Sequence, residues 1–246
     1  MKVVGAVDFG RVNAAPLASF DPQLNLFNLP YLFTSKDQMW KVLNGPIGSQ
    51  MLDTLKSAKL VGLTYYDSGS RSFYNSKRPA AHPEDLKGLK IRVQQSEMFI
   101  NLVKTLGGSP TPMAYGEVFG ALQTGVIDGA ENNWPSYYST NHYQVAKYYT
   151  VDEHSRTPEI LVASQSTWNK LSPEDQKIIL QAARDSQDVQ RKAWSELEEK
   201  AQKAAVDNGN VITQVDPAEW RKAVEPLYEK YGKDYQDLIE QIRNTK

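Results

Sequence analysis

Cysteine is absent from the sequence, and histidine occurs only three times among its 246 residues. Without cysteine the chain forms no disulfide, holds no thiolate-bound metal and has no cysteine nucleophile. The three histidines, His82, His142 and His154, are too few for a histidine-rich metal site. We therefore expect neither a metal nor another cofactor.

The chain also lacks an excess of either charge and any long hydrophobic run. The 28 Lys and Arg residues against 29 Asp and Glu residues leave a net charge of −1. This balance argues against a nucleic-acid-binding protein or a polybasic membrane binder. No stretch reaches the roughly 18 apolar residues that a membrane-spanning helix needs. The apolar content of 40% and the length favour a soluble globular protein of one large domain or two lobes.

A signal peptide is missing from the first residues as well. Asp8 and Arg11 interrupt the apolar run, whereas a signal peptide needs about seven or more continuous apolar residues. The run over residues 3–9 instead predicts a buried strand that starts almost at the first residue. Such a start indicates missing upstream sequence, so we expect a fragment, a trimmed chain or a late start assignment.

Short strands and helices alternate in the first half of the chain. Apolar runs rich in β-branched residues predict strands over 60–66, 90–93 and 126–128. Apolar residues at helical spacing predict helices over 96–106 and 117–124, each followed by glycine. This alternation is typical of an α/β fold.

The second half is predicted to be mainly helical. A helix begins at Pro173, after an N-cap serine, and no glycine or proline interrupts it before Gly209. Its roughly 35 residues would extend about 50 Å. Because its apolar positions do not keep a heptad pattern, we favour a helix that lies across two lobes over a coiled coil. A last helical region is predicted over 216–243, with a break near Pro226 or Gly232.

Catalytic motifs are absent, but Arg92 is a candidate anion-binding residue. The sequence contains no Walker loop, GxGxxG, GxSxG, HExxH or EF-hand pattern. Arg92 lies within the apolar strand 90–93, where the chain turns into a helix. It is either a surface arginine or a guanidinium that binds a carboxylate through two hydrogen bonds. Ligands of open α/β sheets gather at such strand ends.

Further candidates each have a structural alternative. Arg71 lies in a predicted loop after the strand 60–66. Asn132 and Asn133 follow a strand and could bind a polyol or a carboxylate, or form an Asx turn or helix cap. Tyr115 could stack on a ligand or pack in the core.

The chain resembles the solute-binding proteins of TRAP transporters, the tripartite ATP-independent periplasmic transporters (DctP type). The matching segments keep their order and spacing over essentially the whole chain. They are FNLPYLF (27–33), LKGLKIRVQ (86–94), GSPTPM (108–113), GEV (116–118), ALQTG (121–125), VIDGAEN (126–132) and LSPEDQ (171–176).

The resemblance implies an α/β fold of the two-lobe periplasmic-binding-protein type, with a long helix spanning both lobes. Residues 1–68 and 157–197 are expected to form lobe I, and 69–156 and 198–246 to form lobe II. Family members carry a signal peptide and a further N-terminal strand–helix unit. The first lobe is therefore expected to lack that unit here.

The resemblance also implies a binding site. In the family, an arginine at the position of Arg92 forms a salt bridge with the substrate carboxylate, and an asparagine at the position of Asn132 orients the ligand. Arg71 is expected to be a further anion contact, and Tyr115 to line the cleft. The remaining candidates, at cleft-facing or neighbouring positions, are Asn13 and His154.

The implied function is the capture of a small carboxylate, such as the sugar acid hexuronate, for delivery to the membrane subunits of a TRAP transporter. Amides and tyrosines near the site suit a polyhydroxylated acid. C4-dicarboxylates and keto acids stay open as substrates. A ligand sensor for a receptor kinase is an alternative, and an enzyme is the less favoured one. We expect a periplasmic monomer that binds no nucleic acid.

Overall fold

Two sheets organise the computed structural model, which describes residues 7–245. The strands are β1 (Phe9–Asn13), β2 (Leu60–Tyr66), β3 (Arg71–Asn75), β4 (Lys90–Val93), β5 (Ser109–Pro112), β6 (Gly129–Asn132), β7 (Tyr148–Ser155), β8 (Glu159–Ser164) and β9 (Val211–Gln214). Lobe I contains the three-stranded antiparallel sheet β1-β8-β2. Lobe II contains the six-stranded mixed sheet β5-β4-β6-β3-β7-β9. The two-lobe α/β fold predicted for the chain is confirmed.

Helices surround both sheets. The α-helices are α1 (Ala14–Leu17), α2 (Asn25–Asn28), α3 (Lys36–Leu43), α4 (Pro46–Thr54), α5 (Glu97–Thr105), α6 (Val118–Thr124), α7 (Trp134–Ser139), α8 (His142–Val145), α9 (Gln165–Trp168), α10 (Pro173–Asp207), α11 (Pro217–Ala223), α12 (Glu225–Tyr231) and α13 (Gln236–Asn244). Short 3-10 turns connect them at 22–24, 55–58, 83–86, 115–117 and 233–235. The last helical region is interrupted near Pro226 and again near Gly232, the two positions at which a break was predicted.

Most of the predicted elements are confirmed, and one strand is wrong. The strand predicted over 126–128 forms three residues later, as β6. The chain first turns at Gly125, whose φ is +75°, and leaves Val126 exposed. The amide of Asp128 then donates to the carbonyl of Lys90 and brings the chain into the sheet. Residues 3–6 of the strand predicted over 3–9 lie outside the described residues, and of residues 7–9 only Phe9 belongs to a strand, as the start of β1. Val7 and Phe9 are exposed, so the prediction of a buried strand is wrong for these residues.

Each lobe has its own hydrophobic core. In lobe I, Phe27, Trp40 and Tyr65 are buried together with Ile239 and Ile242 of α13. The last helix therefore packs on lobe I, after α11 and α12 have packed on lobe II. The residue boundaries predicted for the lobes stay a prediction.

The helix α10 spans both lobes, as predicted. Its 35 residues begin after Ser172, whose hydroxyl accepts a hydrogen bond from the amide of Asp175. Ala183 packs in lobe I, and Ala201 and Ala205 pack in the core of lobe II. Within residues 7–245, no helix is both long enough and apolar enough to cross a membrane.

Two connections between the lobes meet beside α10. The segment 67–70 joins β2 to β3, and 156–158 joins β7 to β8. The hydroxyl of Ser68 donates to the carbonyl of Thr157 at 2.6 Å, so the two connections are held together. Gln190 of α10 bonds to both the amide and the carbonyl of Asp67. Gly69 has a φ of +63°, and a Cβ there would clash with Glu198 of α10.

Candidate ligand-binding cleft

A cavity of about 770 Å³ lies where the two lobes and α10 meet. Its volume is in the range of sites for small molecules. Its walls are polar on the lobe sides and partly apolar on the helix side. The lining residues are Arg11, Val12, Asn13, Arg71, Arg92, Gln94, Tyr115, Asn132, Asn133, Pro135, Ser136, Ser139, Thr140, Glu159, Gln190, Ala193, Trp194 and Leu197.

The sheet of lobe II brings three predicted site residues to one edge. In the parallel pair β4–β6, Arg92 lies beside Ala130, two residues before Asn132. In the antiparallel pair β3–β6, Asn132 lies opposite Ser72, next to Arg71. The carboxyl ends of two strands and the start of a third thus meet at the cavity. The expectation that Arg71 lies in a loop is wrong, because its pairing with Ser155 of β7 makes it the first residue of β3.

Arg71 is buried and its charge is already compensated. Its Nη2 donates to Glu131 Oε1 and to the Glu131 carbonyl, both at 2.9 Å, and its Nε also contacts the carboxylate. Its Nη1 donates to Asn132 Oδ1 at 2.9 Å. Burial alone would raise the pKa of Glu131, but the charges and hydrogen bonds of Arg71 and His154 outweigh it and lower this pKa. Arg71 and Glu131 therefore form a buried ion pair.

His154 supports this pair from behind. Its Nδ1 lies 2.7 Å from Asp152 Oδ2, and its Nε2 lies 3.4 Å from Glu131 Oε2. Burial opposes its protonation, but the two carboxylates dominate and raise the pKa of His154 to about 9. The ring is fully buried, packs on Phe73 and is not among the residues that line the cavity.

Arg92 is as buried as Arg71 but lacks a carboxylate partner. Its Nε and Nη2 both donate to the Met113 carbonyl, at 3.2 and 2.9 Å. Among residues 7–245 it forms no salt bridge. Burial lowers the pKa of Arg92, and the charge of Glu131 offsets this only in part. Because arginine stays charged in proteins, this guanidinium is a cation that a bound anion would stabilise.

The neighbours of Arg92 complete the wall of lobe II. Tyr115 is 44% exposed at the cavity edge, with its ring centre 5.9 Å from the Arg92 guanidinium. Asn132 Oδ1 accepts hydrogen bonds from Arg71 and from the Asn133 amide, and its Nδ2 donates to no side chain or carbonyl within residues 7–245. Asn133 has the alternative role of a helix cap, because its side chain accepts a hydrogen bond from the Ser136 amide at the start of α7.

The wall of lobe I is formed by β1 and the start of β8. Asn13 ends β1 and lies opposite Glu159, the first residue of β8. Its Oδ1 accepts from the Ala15 amide, so the side chain caps α1 at the same time as it lines the cavity. Beside it, Arg11 Nε lies 2.7 Å from Glu159 Oε2. Burial raises the pKa of Glu159, and the charge of Arg11 counteracts this rise.

Several lining residues were missed from the sequence. Gln94 directly follows the predicted strand with Arg92, and Glu159 opens an apolar run, so both carried a local signal. No local pattern indicated Gln190 or Trp194, because only packing decides which face of α10 lines the cavity. Among residues 7–245, no group of three or more His, Asp or Glu residues could hold a metal ion.

The comparisons with known proteins agree with this architecture. Residues 3–234 match the family model of the bacterial extracellular solute-binding proteins, family 7 (DctP). A solute-binding protein of Chromohalobacter salexigens is 39% identical over 95% of this chain and 70% of the relative.

Solved structures are similar over the full chain. A TRAP periplasmic solute-binding protein of Xanthobacter autotrophicus with bound β-D-galacturonate is 42% identical, with a TM-score of 0.97 over 100% of this chain and 83% of that chain. One from Chromohalobacter salexigens with bound D-glucuronate is 37% identical, with a TM-score of 0.96 over the same shares. The resemblance seen in the sequence is thereby confirmed, and the chain belongs to the family 7 extracellular solute-binding proteins, the binding proteins of TRAP transporters.

Proposed function

We propose that this protein binds a hexuronate in the cavity between its lobes and delivers it to the membrane subunits of a TRAP transporter. We infer that it acts in the periplasm as a monomer. The observation that carries the proposal is Arg92, a buried cation at the cavity with no carboxylate partner among residues 7–245. The similar structures with bound galacturonate and glucuronate support the same ligand class.

The ligand carboxylate binds at Arg92. The Met113 carbonyl accepts hydrogen bonds from Nε and Nη2 of Arg92. Nη1 and the second N–H of Nη2 are therefore available to donate to a ligand. The free amide nitrogen of Asn132 donates to the same end of the ligand. Arg71 adds positive potential, but Glu131 already takes most of its hydrogen-bonding capacity. Arg92 is thus the principal anion site, and Arg71 mainly holds Asn132 in place through Nη1.

Lobe closure would convert binding into a signal for the transporter. The ligand contacts both lobes and α10, so it stabilises the closed arrangement over the open one. The connections at 67–70 and 156–158 are the places where the backbone can absorb such a motion. The membrane subunits then recognise the closed form.

Calorimetry on Arg92→Ala tests this proposal. We expect the wild-type protein to bind galacturonate or glucuronate and Arg92→Ala to lose about 100-fold in affinity, as truncating one side of a buried charge pair does. Arg78→Ala is the matched control, because Arg78 also donates only to main-chain carbonyls but lies away from the cavity. Unchanged binding by Arg92→Ala, with thermal unfolding like that of the control, would contradict the assignment.

A further inference from the structure

Glu159 is a carboxylate in the wall of the cavity that the two arginines also line. Its side chain is 18% exposed, and it lies on β8 in register with Asn13 of β1. Both residues line the cavity from lobe I, whereas Arg71 and Arg92 line it from lobe II. A ligand held by its carboxylate at Arg92 therefore presents its other end to the wall that contains Glu159.

The hydrogen-bonding capacity of Glu159 is not filled by the protein. Arg11 Nε lies 2.7 Å from Oε2, yet this buried oxygen accepts no well-aligned hydrogen bond. No donor within residues 7–245 forms a hydrogen bond with either oxygen of this side chain. Oε2 is buried against Arg11, whereas Oε1 is not among the buried oxygens that lack a partner, so its acceptor positions can take donors. A ligand hydroxyl can therefore donate to Oε1 of Glu159.

Hydroxyl groups and carboxylates differ sharply at such a wall. A sugar hydroxyl donates a hydrogen bond to Glu159 and can accept one from Arg11 or Asn13. A second ligand carboxylate has only acceptors and carries the same charge as Glu159. Unpaired polar groups and like charges of this kind are how sites reject a competing ligand.

We propose that Glu159 is a specificity-determining residue that selects polyhydroxylated monocarboxylates and rejects dicarboxylates. It accepts hydrogen bonds from hydroxyls at the end of the ligand remote from Arg92. Arg11, which is half exposed, holds this carboxylate in place and opposes the rise in its pKa that burial causes. The inference rests on the proposed function, because it assumes that the ligand carboxylate is at Arg92.

Calorimetric affinities for galacturonate, glucuronate and succinate test the inference with three proteins. In Glu159→Gln, which keeps the size of the side chain but removes its charge, we expect the hexuronate affinity to fall and the succinate affinity to rise. The ratio of the hexuronate affinity to the succinate affinity should therefore fall by about tenfold or more. Asp53→Asn is the control, because Asp53 of lobe I forms an ion pair with Lys56 at 2.7 Å but lies outside the cavity. Its ratio stays at the wild-type value.

The outcomes separate this inference from the proposed function. If wild-type protein binds hexuronates and Glu159→Gln keeps the same ratio, the selectivity role is overturned and the proposed function stands. If wild-type protein binds no hexuronate, or prefers succinate, both are overturned. Should Glu159→Gln fail to fold, Glu159→Asp replaces it. That variant retains the charge and must still reject succinate while it binds hexuronates more weakly, and succinate binding by it would overturn the role.

Discussion

Arg71 and Arg92 line the same cavity and are almost equally buried, at 3% and 4% exposure, yet their surroundings differ. Arg71 has the carboxylate of Glu131, its carbonyl and the side chain of Asn132 as acceptors. Within the described part of the chain, Arg92 has only the Met113 carbonyl as an acceptor. Burial alone therefore does not identify a ligand-binding arginine. The absence of a compensating charge among the described residues is what favours Arg92 as the anion-binding residue of the proposed site.

The two buried histidines next to these arginines repeat the contrast. His154 lies between Asp152 and Glu131, and its pKa is raised to about 9. His142 donates to or accepts from the Tyr74 hydroxyl, and burial together with Arg92 lowers its pKa to about 4. Arg71 thus belongs to a network of balanced charges with His154. Arg92 lies beside His142, where its positive charge has no carboxylate partner among the described residues.

The largest expected effect comes from breaking the balanced network. Glu131→Gln leaves Arg71 and His154 as buried cations with one carboxylate fewer, and should lower the free energy of unfolding by about 3 kcal/mol or more. Arg92→Ala should change it by only about 1 kcal/mol, because the lost bonds to Met113 are offset by the removal of an uncompensated buried charge. Urea unfolding without ligand measures both.

The exposed Glu229→Gln is the control for this comparison, since its side chain lies on the surface of α12. Equal destabilisation by Glu131→Gln and Arg92→Ala would contradict the difference drawn between the two arginines.

A smaller effect is expected from pH through His154. Its folded-state pKa of about 9 exceeds the roughly 6.5 of an unfolded chain, so the folded state binds the proton more tightly. This stabilisation is complete below about pH 6.5 and is lost as the pH rises towards 9. Unfolding curves across this range should show the decline. His154→Gln should flatten it, and an unchanged slope in that variant would assign the pH dependence to other groups.

The smallest effect concerns His142 and the ligand. Its folded-state pKa of about 4 lies below the unfolded value, so the stability it contributes is present above about pH 6.5 and is lost as the pH falls towards 4. Burial and the charge of Arg92 both lower the pKa of His142. A carboxylate bound at Arg92 weakens the effect of that charge and should raise this pKa. Titration of the ring signals by NMR, with and without galacturonate, measures the change.

His154 provides the internal reference in the same spectra, because carboxylates already surround it. A ligand-induced change that persists in Arg92→Ala would contradict the coupling between Arg92 and His142.

Local patterns predicted most of the secondary structure and one side of the cleft. The strand around Arg92 could be predicted because an arginine inside an apolar run is conspicuous. The pairing of Arg71 with Glu131 could not, because the two residues are 60 positions apart and a sheet register brings them together. For the same reason Arg71 was expected in a loop. His154 was grouped with the ligand contacts, although only packing shows that it lies behind them.

By itself, the sequence determined the elements whose signals are local. The capped start of α10 at Ser172, its unbroken 35 residues and the α/β alternation all follow from neighbouring residues. Tertiary structure alone decided which charges are balanced, which face of α10 lines the cavity and that Glu159 and Arg92 line one cavity from different lobes. Charge compensation depends on distances of a few ångströms between residues far apart in the chain, and only the folded sheets set those distances.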